Sequence, residues 1–390
     1  MPYVENAEIH DADSHIMETP EWMFDYVTAD VREKMEPVFV ASTQPGEDTF
    51  IEQLRVEHRD PGYRARDETE IMLRKNWKAT GSFIREDRPR ALDLLGFRSQ
   101  LVFNTFTNPQ LLAAEHGDDV PFAYALAEAH NRGMADFCSV DPRLFATGYV
   151  PLRDFDRALE VAVQAIDLGC KALLIPSACP AGHSPSHIDL DPLWAVAQEA
   201  RLPIVLHVGG GGRLLDPNYF ENGLPPVPDF HGGAENFRSV DYMGIPGPPM
   251  QTLATLIFDG VLERFPSLRI GVIEQGAIWL PSWMRQMESA VEAFGRHEER
   301  LGKLSLRPSE YVRRQVRVTP YPTEDVGWIT EQVGSEICLF STDFPHVEGG
   351  HRPMERFERS LGAANEEVRA RFYSENFVDL MGRALDRLTT

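Results

Sequence analysis

The stretch "IHDADSHIMETP" (residues 9–20) begins like a β-strand and places three polar side chains two residues apart. Side chains alternate between the two faces of an extended strand, so Asp11, Asp13 and His15 are predicted to point the same way. Two carboxylates and an imidazole on one buried face are costly to desolvate unless water, arginine or a cation compensates them. The stretch therefore predicts a strand with chemistry at its end, where Asp13 and His15 share a cation and Asp11 lies deeper.

Seven further apolar or β-branched runs follow this first strand, and helical patterns separate most of them. The eight predicted strands span 9–15, 100–105, 145–150, 171–176, 203–208, 268–274, 316–319 and 337–343. The predicted helices span 122–138, 155–169, 192–201, 249–266, 281–301 and 323–334. Strands that alternate with helices in this way indicate an α/β fold, a (β/α)8 TIM barrel. We expect residues 1–390 to form this single domain.

Two connections are longer than the usual loops of such a barrel. Residues 16–99 are rich in charged side chains, and we expect them to form a helical insertion or lid between strands one and two. Residues 209–248 open with "GGGG" and contain neither G-x-x-x-x-G-K-[ST] nor G-x-G-x-x-G, the motifs that bind phosphates. The second connection is therefore predicted to be an active-site loop.

The composition restricts the class of partner. The 390 residues carry a formal net charge of −22, which argues against nucleic acid or an anionic membrane as the partner. No apolar run approaches the ~20 residues of a membrane span. The four cysteines form no C-x-x-C pair and no secretory signal is apparent, so we expect a cytoplasmic protein. We also expect a small-molecule substrate and a homo-oligomer, a dimer.

Acids and imidazoles stand at the ends of four predicted strands, where TIM barrels carry their catalytic groups. Strand one ends with Asp13 and His15, strand five with His207, strand six with Glu274 and strand eight with Asp343. Any one of these side chains could cap a helix or satisfy a local hydrogen bond. Together they present carboxylates and imidazoles at one rim, and this is the ligand set that a divalent cation requires.

These residues and their surroundings resemble the amidohydrolase superfamily, in particular the branch similar to aminocarboxymuconate-semialdehyde decarboxylase. Asp13-Ser14-His15 resembles the strand-one pair of that family, with Asp in place of the commoner first His. His207 in "PIVLHVGG" and Asp343 in "FSTDFPH" resemble its ligands after strands five and eight. The passages "DGVLERFPSLRIGVIEQGAIWLP" and "RARFYSENFVDLMG" also look like family signatures. The resemblance covers most of the chain outside 16–99.

The resemblance implies one divalent metal ion, zinc or manganese, held by Asp13, His15 and His207, with Asp343 and Glu274 as further candidate ligands. Many of these decarboxylases carry a His where this chain has Glu274. Glu274 could bind the metal, act as the acid or base, or merely orient a neighbour. Strand four ends in "LLIPSA", without the lysine or acid that bridges two metals in binuclear relatives, so a single metal is expected.

Two reactions suit such a centre. A metal that activates water and a carboxylate, Asp343, that moves protons could hydrolyse a small, aromatic-derived substrate, and Glu274 favours this interpretation. The alternative is the non-oxidative decarboxylation of a small aromatic or unsaturated acid, and a non-catalytic binding barrel is the second alternative. A serine-nucleophile hydrolase is disfavoured because the chain has no G-x-S-x-G.

Five further residues are weaker candidates. His346 follows Asp343 by three positions and could contact the substrate or orient that acid. Arg213, Arg238 and Trp279 could recognise a carboxylate or an aromatic ring, and His183 lies in a proline-rich loop after strand four.

Overall fold

A computed structural model describes residues 2–5, 7–35, 47–212, 214–225, 238–382 and 385 of the chain. Seven parallel strands form one sheet in chain order, and every residue in them is buried. The strands are β1 (His10–His15), β2 (Ser99–Phe103), β3 (Leu144–Tyr149), β4 (Ala172–Leu174), β5 (Ile204–His207), β6 (Ile270–Ile273) and β7 (Val316–Val318). Burial on both faces is expected when helices cover one face and the other lines a barrel.

The segment 337–343 closes the sheet between β7 and β1. A parallel bridge joins Val318 to Cys338 on one side, and another joins Ser14 to Phe344 on the other side. These contacts are single bridges rather than a continuous ladder, because irregular backbone at the end of the segment limits the pairing. The ring is nevertheless complete, and the predicted (β/α)8 TIM barrel is confirmed.

Helices follow the strands and cover the outside of the barrel. They are α6 (Asn108–His116), α7 (Val120–Cys138), α8 (Phe155–Leu168), α9 (Asp191–Ala200), α10 (Ser239–Gly244), α11 (Gly247–Phe258), α12 (Val261–Arg264), α13 (Leu280–Phe294), α14 (Pro308–Gln315), α15 (Val326–Val333), α16 (Pro353–Leu361), α17 (Glu366–Ala370) and α18 (Asn376–Met381). The helix predicted over 249–266 is two helices, since Gly260 takes a left-handed φ of 77° between them. The helix predicted over 281–301 ends early, at Phe294 before Gly295.

The described part of 16–99 contains five helices, α1 (Ala29–Arg32), α2 (Glu47–Arg59), α3 (Pro61–Ala65), α4 (Asp67–Glu70) and α5 (Arg88–Leu95). Arg88, a buried residue at the start of α5, joins this segment to the barrel. Arg88 donates hydrogen bonds from Nη1 to the His15 carbonyl (2.9 Å) and from Nε to Gln100 Oε1 (3.2 Å). The Asn76 amide donates to the Pro345 carbonyl (2.9 Å). This segment therefore contacts the barrel at the carboxyl ends of β1 and of 337–343.

Within the described ranges, every helix is too short or too polar to cross a lipid bilayer.

Candidate metal centre

The end of β1 departs from regular strand geometry. Between Asp11 and Ser14, β1 contains one residue more than the paired stretch of β2, which is the pattern of a β-bulge. Side chains two residues apart on a regular strand are separated by ~6.6 Å. Here Asp13 Oδ1 and His15 Nε2 lie only 3.2 Å apart. The bulge supplies the local twist that lets both side chains reach one point.

Asp11 lies deeper in the barrel and has a different set of partners. Its carboxylate accepts hydrogen bonds from the Thr342 amide (2.8 Å), the Thr342 hydroxyl (2.6 Å) and Gln100 Nε2 (2.9 Å). Burial raises the pKa of Asp11 to about 7, although these hydrogen bonds act in the opposite direction. Asp11 thus joins the first strand to the last segment. His10, on the opposite face, stacks on Phe377.

Two histidines are held in one tautomer by main-chain carbonyl groups. His15 Nδ1 lies 3.0 Å from the Asn104 carbonyl oxygen, and His207 Nδ1 lies 2.9 Å from the carbonyl oxygen of Val208. A carbonyl oxygen can only accept, so each Nδ1 carries the proton. The Nε2 lone pairs of both rings therefore face the barrel interior, as metal-binding histidines require.

Two imidazoles and three carboxylates converge around one point. His207 Nε2 is 3.4 Å from Asp13 Oδ1 and 3.3 Å from Glu274 Oε2. His15 Nε2 is 3.7 Å from Glu274 Oε2 and 3.6 Å from Asp343 Oδ1. Bonds of ~2.1 Å to a single ion would separate ligand atoms by ~3.0–3.5 Å. Among the described residues, Asp13 Oδ2 and His15 Nε2 make no hydrogen bond. Asp13, His15, His207 and Glu274 form one buried group that could hold a metal ion. Asp343 and His346 form a second, overlapping group with His15 and Glu274.

Both carboxylates at the ends of the later strands depend on unusual backbone conformations. Glu274 and Asp343 each have a φ of 54°, which is uncommon for residues other than glycine. At Glu274 this conformation is held from both sides, because its amide donates to Thr319 Oγ1 (2.8 Å) and its carbonyl accepts from the Tyr321 hydroxyl (2.7 Å). Such strained backbone is common at functional sites, where it aims a side chain.

A close contact with His346, and a hydrogen bond from His346 to Thr105, link Asp343 to the loop after β2. His346 Nδ1 lies 3.0 Å from Asp343 Oδ1, and His346 Nε2 lies 2.9 Å from Thr105 Oγ1. The Thr105 hydroxyl donates its proton to the Ile16 carbonyl (2.7 Å), so it accepts from His346. In neutral His346 the proton is then on Nε2, and the unprotonated Nδ1 is the ring atom close to Asp343.

The carboxylates differ in their protonation when no cation is bound. Burial raises the pKa of Asp343 to about 8, and repulsion from Asp13 adds to the increase. Burial and the charge of Asp343 likewise raise the pKa of Glu274 well above its ordinary range. Burial would also raise the pKa of Asp13, but attraction to the nearby rings of His15 and His207 outweighs it and holds that pKa low. Without a cation, the centre therefore retains protons on its later carboxylates.

A small cavity opens beside the carboxylates. Its wall includes the ring of Tyr321 and the side chain of Glu348. The remaining lining residues are Asp13, Glu274, Thr319, Pro320, Pro322, Ser341, Thr342, Asp343 and Gly349. A small molecule in this cavity would thus contact the candidate metal ligands directly.

The remaining candidate site residues from the sequence lie at the following positions. Trp279 is buried in the hydrophobic core and donates its indole N–H to the Gly276 carbonyl (2.7 Å). His183 lies against the carbonyls of Ser184 and Arg153. Arg238 pairs with Asp241 in the loop after β5. Arg213 lies outside the described residues, and its role stays a prediction.

Several residues of the centre carry no sequence motif. Thr105 follows β2 at the same rim, so its position after a strand could have identified it. Tyr321 and Glu348 are ordinary loop residues in the sequence, and only the fold brings them to the cavity. Lys75, in the charge-rich segment 16–99, likewise comes under the influence of Asp343 and Glu348 only in the fold.

Comparisons with known proteins extend these observations. A protein-family model described as an amidohydrolase matches residues 10–380. A search of curated proteins gives no match.

Solved structures share the fold at low sequence identity. An amidohydrolase from Mycobacterium avium subsp. paratuberculosis K-10 is 20% identical, with a TM-score of 0.74 over 97% of this chain and 99% of that chain. The 5-carboxyvanillate decarboxylase of Novosphingobium aromaticivorans, with bound manganese and a nitrobenzoic acid, is 19% identical, with a TM-score of 0.62 over 96% and 97%. A dihydroxybenzoic acid decarboxylase from Polaromonas sp. JS666, with manganese and 2-nitroresorcinol, is 15% identical, with a TM-score of 0.59 over 96% and 97%.

Proposed function

Since the chain belongs to the amidohydrolase family, we propose that it is a manganese-dependent enzyme that decarboxylates a small aromatic acid. Hydrolysis was the reaction expected first from the sequence. Decarboxylation is now preferred because structural neighbours with this fold, including two described above, are decarboxylases with bound manganese. The proposal also extends the sequence-based expectation of a small aromatic substrate.

The residues that would hold the ion are Asp13, His15 and His207, with Glu274 and Asp343 beside them. Imidazole nitrogens and carboxylate oxygens suit manganese or zinc, and the unpaired Asp13 Oδ2 and His15 Nε2 fit a cation at this point. When bound, the ion would supply positive charge that holds and orients the substrate's oxygens.

The observation that carries the proposal is the carboxyl group of Asp343. It is buried at the cavity wall, and its Oδ1 lies 3.0 Å from His346 Nδ1, so His346 is close enough to supply it with a proton. A protonated Asp343 can act as the general acid that gives its proton to the ring carbon bearing the carboxylate. The bond from that carbon to the carboxylate then breaks, its electron pair restores the ring, and CO₂ leaves.

His346 would restore the proton. Its Nδ1 faces Asp343 and its Nε2–H is fixed on Thr105, so a proton taken up from solvent can return to Asp343 after each turnover. Each cycle thus consumes one proton and one carboxylate and yields one C–H bond and one CO₂. We also propose that the described part of 16–99 packs beside the mouth of the barrel near the metal centre, since the Asn76 amide donates to the Pro345 carbonyl in the turn after Asp343.

The test uses manganese-loaded protein and hydroxybenzoates labelled with ¹³C in the carboxyl group. We expect labelled CO₂, a rise in pH, and deuterium at the vacated ring carbon when the solvent is D₂O. Chelated protein is the matched control and should release none. Decarboxylation is contradicted if manganese-loaded protein releases no CO₂ from any member of the panel.

Hydrolysis is the second candidate, and Glu274 favours it. A carboxylate at this position could take a proton from water, whereas many related decarboxylases carry a histidine there. The corresponding benzamides separate the two reactions, because hydrolysis would release ammonia and incorporate ¹⁸O from labelled water without forming CO₂. A non-catalytic binding barrel would bind stoichiometric metal and lose it after His207→Ala. It would react with neither the hydroxybenzoates nor the benzamides.

A further inference from the structure

The ammonium group of the partly buried Lys75 is shielded from solvent, and the carboxylates that act on it belong to residues lining the cavity. The following residue, Asn76, donates its amide to the Pro345 carbonyl (2.9 Å), so Lys75 is fixed near the turn that follows Asp343. Its Nζ is shielded from solvent and makes no hydrogen bond with any residue that the structure describes. The negative charges that act on it are those of Asp343 and Glu348, and both of these side chains line the cavity.

This arrangement is costly unless something else satisfies the ammonium group. An ammonium has three N–H donors, and leaving them unused away from water is more expensive than leaving a neutral donor unused. Burial lowers the pKa of Lys75, whereas the two carboxylates oppose that change. The ammonium therefore needs an oxygen acceptor on the cavity side.

The charges around the cavity point to the same need. With Asp343 protonated, as the proposed reaction requires, one divalent ion balances the two negative charges of Asp13 and Glu274. An aromatic acid brings a further negative charge into this space, so a second cation is required if the acid is to bind well. Lys75 is placed to supply it.

We propose that Lys75 binds an anionic oxygen of the substrate, a carboxylate or a phenolate, inside the cavity beside Asp343. The inference rests on the proposed function for the substrate's location near the metal. It assigns the site to acids rather than to neutral amides or esters, and it makes Lys75 a substrate-binding residue supplied by the segment 16–99.

The experiment measures binding to the full-length, manganese-loaded protein by calorimetry. The probes are 2,6-dihydroxybenzoate and its neutral counterpart 2,6-dihydroxybenzamide. Lys75→Met removes the charge at nearly constant length, and Lys78→Met is the matched control because Lys78 is an exposed lysine on the same turn.

We expect the parent protein to bind the acid at least about tenfold more tightly than the amide. Lys75→Met should weaken binding of the acid by about tenfold or more and change binding of the amide by less than about twofold. Lys78→Met should change neither, and the manganese affinity of all three proteins should agree within about twofold. If Lys75→Met does not fold, Lys75→Arg should retain the preference for the acid and Lys75→Gln should lose it.

Equal weakening of acid and amide by Lys75→Met, or a parent protein with no preference for the acid, would overturn the inference. Failure of every acid to release CO₂, with the binding differences intact, would contradict the proposed reaction and leave Lys75 as an anion-binding residue. If Lys75→Met releases CO₂ with the same KM as the parent protein, the role of Lys75 is contradicted but the proposed reaction is not.

Discussion

At the residue scale, the centre consists of side chains whose orientation is set before any ion arrives. The two metal-facing histidines each donate from Nδ1 to a main-chain carbonyl, so their rings cannot rotate without losing that hydrogen bond. Glu274 and Asp343 are aimed by left-handed backbone rather than by a flexible stem. Such preorganisation reduces the ordering cost of binding an ion or a substrate.

The two acids of β1 should respond differently to amide substitution. Asp13→Asn should weaken manganese binding by at least about tenfold, because a charged ligand is replaced by a neutral one. Asp11→Asn should leave that affinity nearly unchanged and cost about 1–3 kcal/mol of unfolding free energy, since its NH₂ would face the donors of Thr342 and Gln100. Metal titration and urea unfolding of both variants measure these effects. Asp13 is not a ligand if Asp13→Asn binds manganese as tightly as the parent.

Substitution of the proposed acid should separate binding from chemistry. Asp343→Asn should reduce the rate of CO₂ release by about 10²–10⁴, because an amide cannot donate the required proton. Binding of the acid substrate should survive, which calorimetry can measure. Asp325→Asn is the control, since Asp325 caps α15 and should leave the rate unchanged. Full activity of Asp343→Asn would remove Asp343 from the mechanism.

At the scale of elements, buried carboxylates from neighbouring segments anchor the loops that carry the centre. Glu18 accepts hydrogen bonds from the amides of Thr105, Phe106 and Thr107, and so fixes the loop after β2. Glu324 does the same for the loops after β6 and β7. The precision of the centre therefore depends on acids that have no direct part in the chemistry.

Glu324 offers a test of this dependence. Its carboxylate accepts from the amides of Ala277 (2.8 Å), Ile278 (3.2 Å) and Tyr321 (3.0 Å). Glu324→Ala leaves three buried donors unpaired and should cost about 2–4 kcal/mol of stability. Because the loop after β6 also carries Glu274, manganese affinity should fall as well, whereas Glu331→Ala on the exposed face of α15 should change neither. Stability loss with unchanged metal affinity would limit Glu324 to a structural role.

The sequence allowed prediction of the elements that follow from local rules. Alternating strands and helices indicated the barrel, and the residues at the strand ends indicated the acids and imidazoles that converge. The break at Gly260 was missed because the hydrophobic pattern continues across it. Lys75 was missed because its proposed role depends on the contact that its neighbour Asn76 makes with Pro345, 269 positions away in the chain, and no local pattern encodes such a contact. The bulge in β1 also depends on pairing with β2.

At the scale of the whole molecule, stability should depend on pH and on metal together. The pKa of Asp343 is raised to about 8 and that of Asp11 to about 7, both above the value of ~3.9 in an unfolded chain. The folded protein thus holds more protons, and this contribution to stability is lost as pH rises through those values. Chelated protein should melt at a lower temperature at pH 8 than at pH 6.

Bound manganese should oppose this loss. Metal binding must displace protons from the centre, so its affinity should increase with pH and protons should be released on binding. At a manganese concentration about 100 times the dissociation constant measured at pH 8, the ion should raise the melting temperature by about 4 °C or more at pH 8. The same concentration should raise it by less at pH 6. Scanning calorimetry with and without chelator measures both effects. An equal increase at both pH values would contradict the conclusion that the metal-free centre holds protonated carboxylates.

The dimer expected from the sequence stays a prediction, and light scattering can check it.

The contact between β1 and the segment 337–343 also has a consequence for synthesis of the chain. Asp11 and its partner Thr342 are 331 positions apart, and the centre likewise joins residues from both ends of the sequence. A nascent chain that has emerged only as far as β7 already contains Asp13, His15, His207 and Glu274, but it lacks Asp343 and His346. Such a chain has most of the candidate metal ligands and no proton donor. If Asp343 is the proton donor, as proposed, no molecule can turn over substrate before the segment after β7 has been synthesised.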